Sequence, residues 1–365
     1  MPRDTEKPIR IRLEHTRYPQ MGAHAGYAQL ARHLDRQHFK CDLHGASDSD
    51  ADFPRWLSAL KPWLKREILR RKAGWYKLSD LTAEGRLLLP ALAGHRDIVH
   101  FLDAEHSGRL LPRAAARMRL AGLRTIATVH QPPSILETLI DPAHFAHFDA
   151  VIAVAPSQCD YLKRFIEDDR LHVILHGVDT TFFTPSLEPK APGRLRCVTV
   201  GHWLRDWDIL RSVVHRLPDI DFDIVTGKPV ALEDASNVQL HRAIDDAALL
   251  KLYRSADVLL LPLSDATANN TLLEGLACGL PVVTSDLAAT RAYLPEDAGI
   301  FVSGKHPDGY VAALRRLGGD PAQRTAMGHS ARLRADALAW PQVVKQYEAL
   351  YRAVLDRPPV WQQIS

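Results

Sequence analysis

Apolar and polar positions along the chain fall into a repeated strand, loop and helix rhythm. Residues 9–14 alternate as a short strand, and after the loop 19–26 the stretch 27–34 reads as a helix. Residues 98–102, 125–129 and 150–154 are short apolar runs separated by helical stretches, the pattern of parallel strands buried on both faces. The rhythm restarts in the second half at 196–200, 222–226, 258–261, 281–284 and 299–302. Between the halves, residues 184–193 hold three prolines and a glycine and read as a linker. The pattern predicts an α/β chain with Rossmann-like domains at 1–184 and 195–339, each built on a mostly parallel sheet. Residues 340–365 add an amphipathic helix with Val343, Val344, Tyr347, Leu350, Tyr351 and Val354 on one face, expected to cross back to the first domain.

Ligands of such sheets gather beyond the carboxyl ends of the strands, so the loops there carry the candidate chemistry. The most informative stretch is 259–283, which reads as strand, polar loop, short helix and strand. Asn269 or Asn270 suits the N-cap of a helix expected over 271–278, and Gly279 and Pro281 stop it. A helix N-terminus binds anions through its unpaired N–H groups and the positive end of its dipole. Glu274, about one turn in, would be repelled by a phosphate but suits a neutral diol such as ribose, whose two hydroxyls can donate to one carboxylate.

On these residues the sequence resembles the retaining GT-B glycosyltransferases, in particular the large family 4 group. Residues 274–283 are similar to its E-A-M-A-C-G-x-P-V-V signature, whose glutamate binds the ribose of a nucleotide sugar. Asp97-Ile98-Val99-His100 resembles its D-V-V-H strand, and His130 matches a histidine lying against the transferred sugar. His176-Gly177-Val178-Asp179 with Phe183-Thr184-Pro185 is similar to N-G-V-D-x-x-x-F-x-P. The resemblance implies two domains facing a central cleft, a nucleotide-diphosphate sugar as donor, and no cofactor or metal. The donor-binding candidates are Glu274, Asn269, Asn270, Thr271, Thr267, Asp265, Arg205, His202, Gly201, Gly22 and Ala23; of these the helix opening at Asn269–Thr271, the Gly22–Ala23 backbone and Arg205 are expected to share the diphosphate. The acceptor, a glycan, lipid-linked glycan or small molecule, falls to the first domain, with His15, His24 and His100 as acceptor-side candidates. His130 is the catalytic candidate.

The sequence also departs from the family. A second glutamate usually stands eight residues before Glu274; here that position is Ala266, with Asp265 adjacent. The usual basic pair after the first strand of the second domain aligns with His202 and Trp207, leaving Arg205 as the nearby permanent cation. Fewer fixed charges weaken stabilisation of a leaving diphosphate. These departures motivate a second reading, a catalytically weak GT-B-shaped nucleotide-binding subunit of a partner enzyme; a nucleotide-sugar epimerase or a phosphorylase is a third.

Composition narrows the rest. The 365 residues are 46% hydrophobic and carry 46 basic against 43 acidic side chains, a balance unsuited to coating nucleic acid. No apolar run reaches the roughly 18–20 residues of a membrane span, and no leader pattern is visible at the start. Cys41, Cys159, Cys197 and Cys278 are scattered, which fits a reducing cytoplasm. Asp48, Asp50 and Asp52 read as a solvated loop rather than a metal site. Residues 61–77 interleave basic side chains with Trp63, Leu64, Ile68, Leu69, Trp75 and Tyr76, the make-up of a helix at the inner face of a membrane.

Overall fold

A computed structural model describes residues 8–18, 22–70, 73–93, 97–188 and 193–362. The remainder of the 19–26 loop, of the 184–193 linker and of the 61–77 basic stretch lies outside the described residues. By internal packing the chain divides into two units. The first comprises the N-terminal part to Leu175 without Gly22–Gly26, and takes in Val343–Ser365; the second comprises Gly22–Gly26 and His176–Gln342.

In the first unit, β1 (Ile9–Arg17), β2 (Phe39–Ser47), β3 (Asp97–Phe101), β4 (Leu123–Val129), β5 (Ala150–Ala153) and β6 (Leu171–Val173) form one parallel sheet in the order β2-β1-β3-β4-β5-β6. Val99, Phe101, Ala127, Val129, Val151 and Ala153 point into a core closed by Leu87, Leu111, Phe145 and Phe148 from helices and turns. The terminal helix Trp340–Asp356 buries all six of its predicted apolar positions. Within this unit its Tyr351 hydroxyl meets His100 Nδ1 at 2.7 Å, and Arg124 Nε donates to the Val354 carbonyl at 3.1 Å.

In the second unit, β7 (Arg196–Val200), β8 (Asp221–Val225), β9 (Val238–His241), β10 (Val258–Leu261), β11 (Val282–Ser285) and β12 (Gly299–Val302) form a second parallel sheet, ordered β12-β11-β10-β7-β8-β9. Strands β2, β6 and β9 are additional to those expected, and all three are edge strands. An edge has one ladder partner and one wet side, so its sequence stays mixed: β2 reads Phe-Lys-Cys-Asp-Leu-His-Gly-Ala-Ser. The helix expected over 27–34 is shorter, a 3-10 turn Tyr27–Gln29 running into Leu30–His33.

Strand order reverses direction between β1 and β3 in one sheet and between β7 and β10 in the other. Chain connections leave in opposite directions there, opening a crevice at the carboxyl ends. The loops after β7 and β10 are therefore the ground where a ligand of the second unit's sheet would gather, and those after β1, β3 and β4 the corresponding ground of the first. No described helix is long and apolar enough to cross a membrane.

Candidate active site

The loops after β7 and β10 are stitched together. Asp206 N–H donates to the Pro262 carbonyl at 2.9 Å, Ser264 N–H to that of Leu204 at 3.0 Å, and Arg205 and Leu263 pair as an isolated bridge. The helix that follows runs Asn270–Ala277, one residue earlier than expected. Asn269 is its N-cap: the side-chain oxygen accepts from Leu272 N–H at 3.2 Å. Among the described residues nothing accepts from the backbone N–H groups of Asn270 and Thr271, so two first-turn donors stay available for an anion. Gly275 lets this helix lie against β10, because a Cβ there would stand 2.5 Å from Leu259 Cδ2.

That close packing sets Glu274, only 5% exposed, at the inner side of the helix. Its Oε2 accepts from Tyr253 Oη at 2.7 Å, and Tyr253 is itself fully buried on the helix Asp246–Ser255. No donor among the described residues reaches Oε1, and that oxygen is not sealed from solvent. Burial pushes the Glu274 carboxyl up to about 7; the Tyr253 hydrogen bond opposes this, nearby Asp246 adds to it, and Arg205 draws it back. The arrangement is a carboxylate held at one oxygen and open at the other, one turn behind free helix-terminal N–H groups.

The remaining donor-side residues sort themselves differently from expectation. Arg205 does not extend as a free cation. It folds back to donate to the Val200 carbonyl from Nε at 3.1 Å and Nη2 at 2.6 Å, to Trp203 O from Nη1 at 3.1 Å, and to Thr271 Oγ1 at 3.2 Å. A guanidinium surrounded by carbonyls braces the two loops; burial lowers it only to about 10, so its charge stays beside the helix start. Gly201 makes that fold possible: its φ is +85°, and a Cβ would stand 3.2 Å from Arg205 Nη2. Its own N–H is spent on Val225 O at 2.9 Å, so it presents no donor to a phosphate. The Thr271 hydroxyl donates to Val200 O at 3.3 Å, and its backbone N–H has no acceptor among the described residues. Thr267 and Ala266 are buried. Asp265 is half-buried and accepts at Oδ1 from Ala266 N–H at 2.7 Å, turned into its own loop. His202 is half-buried, its ring held below the usual histidine range by burial and then by Lys228 and Arg205.

Gly22 and Ala23 are corrected as well. The Ala23 N–H meant for a diphosphate is taken by Asp246 Oδ2 at 2.7 Å, with His24 N–H reaching the same oxygen at 3.3 Å. A carboxylate already fills that turn because it offers the same anionic oxygens. His24, expected on the acceptor side, belongs to the second unit: Nδ1 meets Asp179 Oδ2 at 2.8 Å and the ring stacks on Phe182 with centroids 3.7 Å apart.

In the first unit, His130 ends β4 as expected and is half-buried. Nε2 lies 2.8 Å from the Leu102 carbonyl, which can only accept, so Nε2 carries the proton and Nδ1 is the basic nitrogen. The ring packs 4.6 Å from that of Tyr27, and its backbone N–H is held by Glu105 Oε1, which also takes Gln131 N–H at 2.6 Å. Burial holds the imidazole below its usual range, with Asp103 opposing, so it is neutral near pH 7. His15 is half-buried in β1, with Nδ1 3.1 Å from Thr16 O. His100 is a core residue and not an acceptor contact: it has no exposure, its nitrogens are spent on Tyr351 Oη and Thr128 Oγ1 at 2.7 Å each, and burial drops it to about 3. A histidine in the middle of a central strand has no route to a ligand.

Tyr253, Asp246 and the loop Asp103–His106 were missed from the sequence. Tyr253 left no signal beyond an apolar helical position. The loop did: Asp103-Ala104-Glu105-His106 packs three ionisable groups just past the carboxyl end of β3, and Asp103 Oδ2 accepts from Tyr18 Oη at 2.6 Å and Tyr27 Oη at 2.9 Å. Asp50 and Asp52 are engaged by Lys65 and Arg17, and the described residues hold no cluster able to ligate a metal.

The chain is similar to known glycosyltransferases. Residues 22–182 match the family model Glycosyltransferase Family 4, and residues 193–320 match that described as Glycosyl transferases group 1. A D-inositol 3-phosphate glycosyltransferase of Paenarthrobacter aurescens (strain TC1) is 29% identical over 52% of this chain and 54% of its own length. One from Xylanimonas cellulosilytica is 24% identical over 84% of this chain and 79% of its own length. The match thus spans about half the length of the first of these relatives. Among solved structures, the sucrose-phosphate synthase of Thermosynechococcus elongatus superposes with a TM-score of 0.71 at 18% identity, covering 95% of this chain and 99% of the other. The catalytic domain of Arabidopsis thaliana starch synthase IV, bound to ADP and acarbose, gives 0.68 at 12% identity over 96% and 100%. The two parallel six-stranded sheets are those of the GT-B fold.

Proposed function

The chain belongs to the group 1, family 4 glycosyltransferases, and from that premise we propose that it moves a sugar from a nucleotide-diphosphate sugar to an acceptor hydroxyl, with retention and without a metal. The observation that carries this reading is Glu274: a carboxylate gripped at one oxygen by Tyr253 and open at the other, one turn behind a helix start with uncommitted N–H groups. Ribose hydroxyls donate to Glu274, and the diphosphate takes the Asn270 and Thr271 N–H groups at the positive end of the helix. Arg205 adds charge from behind without leaving its carbonyl brace. As the glycosidic bond breaks through an oxocarbenium-like state, the leaving phosphate gains charge, and these preorganised donors stabilise it. The same leaving phosphate takes the proton of the attacking hydroxyl. His130, its ring fixed by Leu102, is the residue that the family resemblance assigns to the transferred sugar.

The acceptor is a glycan, a lipid-linked glycan or a small molecule; the names of the curated relatives make D-inositol 3-phosphate the first to try. The test is incubation with UDP-, GDP- and ADP-sugars, reading nucleoside diphosphate release with and without acceptor. Release that depends on acceptor, and nucleotide binding that collapses in Glu274→Ala, is expected. No release from any donor, with unchanged nucleotide binding in the variant, would end the reading.

A further inference from the structure

The stretch after β2 forms a 3-10 turn Arg55–Leu60 that runs directly into the helix Lys61–Arg70, and neither contains a buried residue. Leu57, Leu64 and Ile68 are half-buried against the first unit. Trp56 (82% exposed) and Leu60 on the 3-10 turn, and Trp63 (54%) and Leu69 (70%) on the helix, are left exposed. A helix this short is marginal in water unless an apolar face is covered, and this segment leaves Trp56 before the helix and Trp63 within it in solvent. Around them the segment 55–70 holds five basic residues, Arg55, Lys61, Lys65, Arg66 and Arg70, against the single acid Glu67. Lys65 pairs with Asp50 and Arg70 with Glu67, while Arg55 and Arg66 stand exposed.

We propose that this segment docks the protein on an anionic lipid surface, with Trp56 and Trp63 at headgroup depth and the cations against the lipid phosphates. Tryptophan suits that depth because its ring is apolar and its N–H still finds a partner there. Basic residues among such exposed aromatic side chains draw the segment to negative headgroups. A second copy of the chain is a poorer occupant, since a two-fold contact would set five cations against five. Nucleic acid fits poorly too, because the exposed tryptophans and leucines would be pressed on phosphates. No described helix can span a bilayer, so the contact is peripheral. This surface is independent of the donor site and stands whether or not the transfer reaction is as proposed.

The test is flotation of the full chain with phosphatidylcholine vesicles containing 30% phosphatidylglycerol, beside vesicles of phosphatidylcholine alone. Binding to the anionic vesicles is expected, about tenfold weaker on neutral ones and weakened again by 0.5 M salt. Trp56→Ala with Trp63→Ala should reduce partitioning about tenfold, with an unchanged thermal unfolding midpoint. If that pair unfolds the protein, Arg55→Glu with Arg66→Glu serves instead and should abolish the preference for anionic lipid. Three outcomes would overturn the proposal: no flotation with either vesicle, equal flotation of the variants, or a concentration-dependent dimer or DNA complex formed through Trp56 and Trp63 in place of vesicle binding.

Discussion

Replacing Glu274 by glutamine is the sharpest perturbation available, because it keeps the volume and the Tyr253 contact and removes only the charge. In the native protein Tyr253 holds Oε2 at 2.7 Å, and Oε1 has no donor among the described residues and is not sealed from solvent. In the variant the amide oxygen stays with the tyrosine hydroxyl, so an NH2 group meets the ribose where an acceptor is needed. Losing one hydrogen bond to a charged acceptor costs about 2 kcal/mol, or roughly a 30-fold rise in Kd. Titration calorimetry with UDP, GDP and ADP at pH 8 measures this directly. A second readout comes from the carboxyl lying near 7. About a tenth of it is ionised at pH 6 and about nine tenths at pH 8, so affinity that needs the ionised form should rise about tenfold between them. The nucleotide's own phosphate also titrates in that range, and the glutamine variant isolates it: the slope that vanishes in Glu274→Gln belongs to Glu274. An unchanged Kd, or the same pH slope in both proteins, would refute the assignment of ribose to this side chain.

Tyr253→Phe removes the bond that favours the ionised carboxylate, so the pH midpoint of nucleotide binding should move upward, with Kd at pH 7 weakened a few-fold; a midpoint that stays put would show the tyrosine to be packing only. His100→Phe should leave nucleotide affinity alone while costing about 2–4 kcal/mol in denaturant unfolding, because Tyr351 Oη and Thr128 Oγ1 lose their buried partner. The folded-state value of His100 lies below its unfolded one, so the unfolded chain takes the proton first. Its contribution is whole above about pH 6.5, is lost as pH falls toward 3, and leaves wild type about 2 kcal/mol weaker at pH 5; the His100→Phe protein should lack that loss. Gly201→Ala should cost about 1–3 kcal/mol through its left-handed backbone, dislodge the Arg205 brace and weaken nucleotide binding, all readable by thermal shift with and without UDP.

The central strands, the terminal helix face and the Asn269-capped helix were legible from the sequence because each is specified locally. A strand buried on both faces needs an unbroken apolar run, and a helix start needs a capping side chain at a set offset. The place of Glu274 on that helix was legible for the same reason, lying within one short string between a cap and a stop. The edge strands β2, β6 and β9 were not, since half their surroundings are water and their residues are mixed accordingly. What tertiary structure alone decided is which polar group meets which. Tyr253 reaches Glu274 from 21 residues away, Asp246 reaches the Ala23 amide from 223 away, and Tyr351 closes on His100 from 251 away. Arg205 looked like a free cation, and His100 like an acceptor contact, until folding brought carbonyls and hydroxyls around them. Local patterning sets where a side chain sits on its own element; its partner, and so its charge and reach, is set by whatever the folded chain delivers to that place.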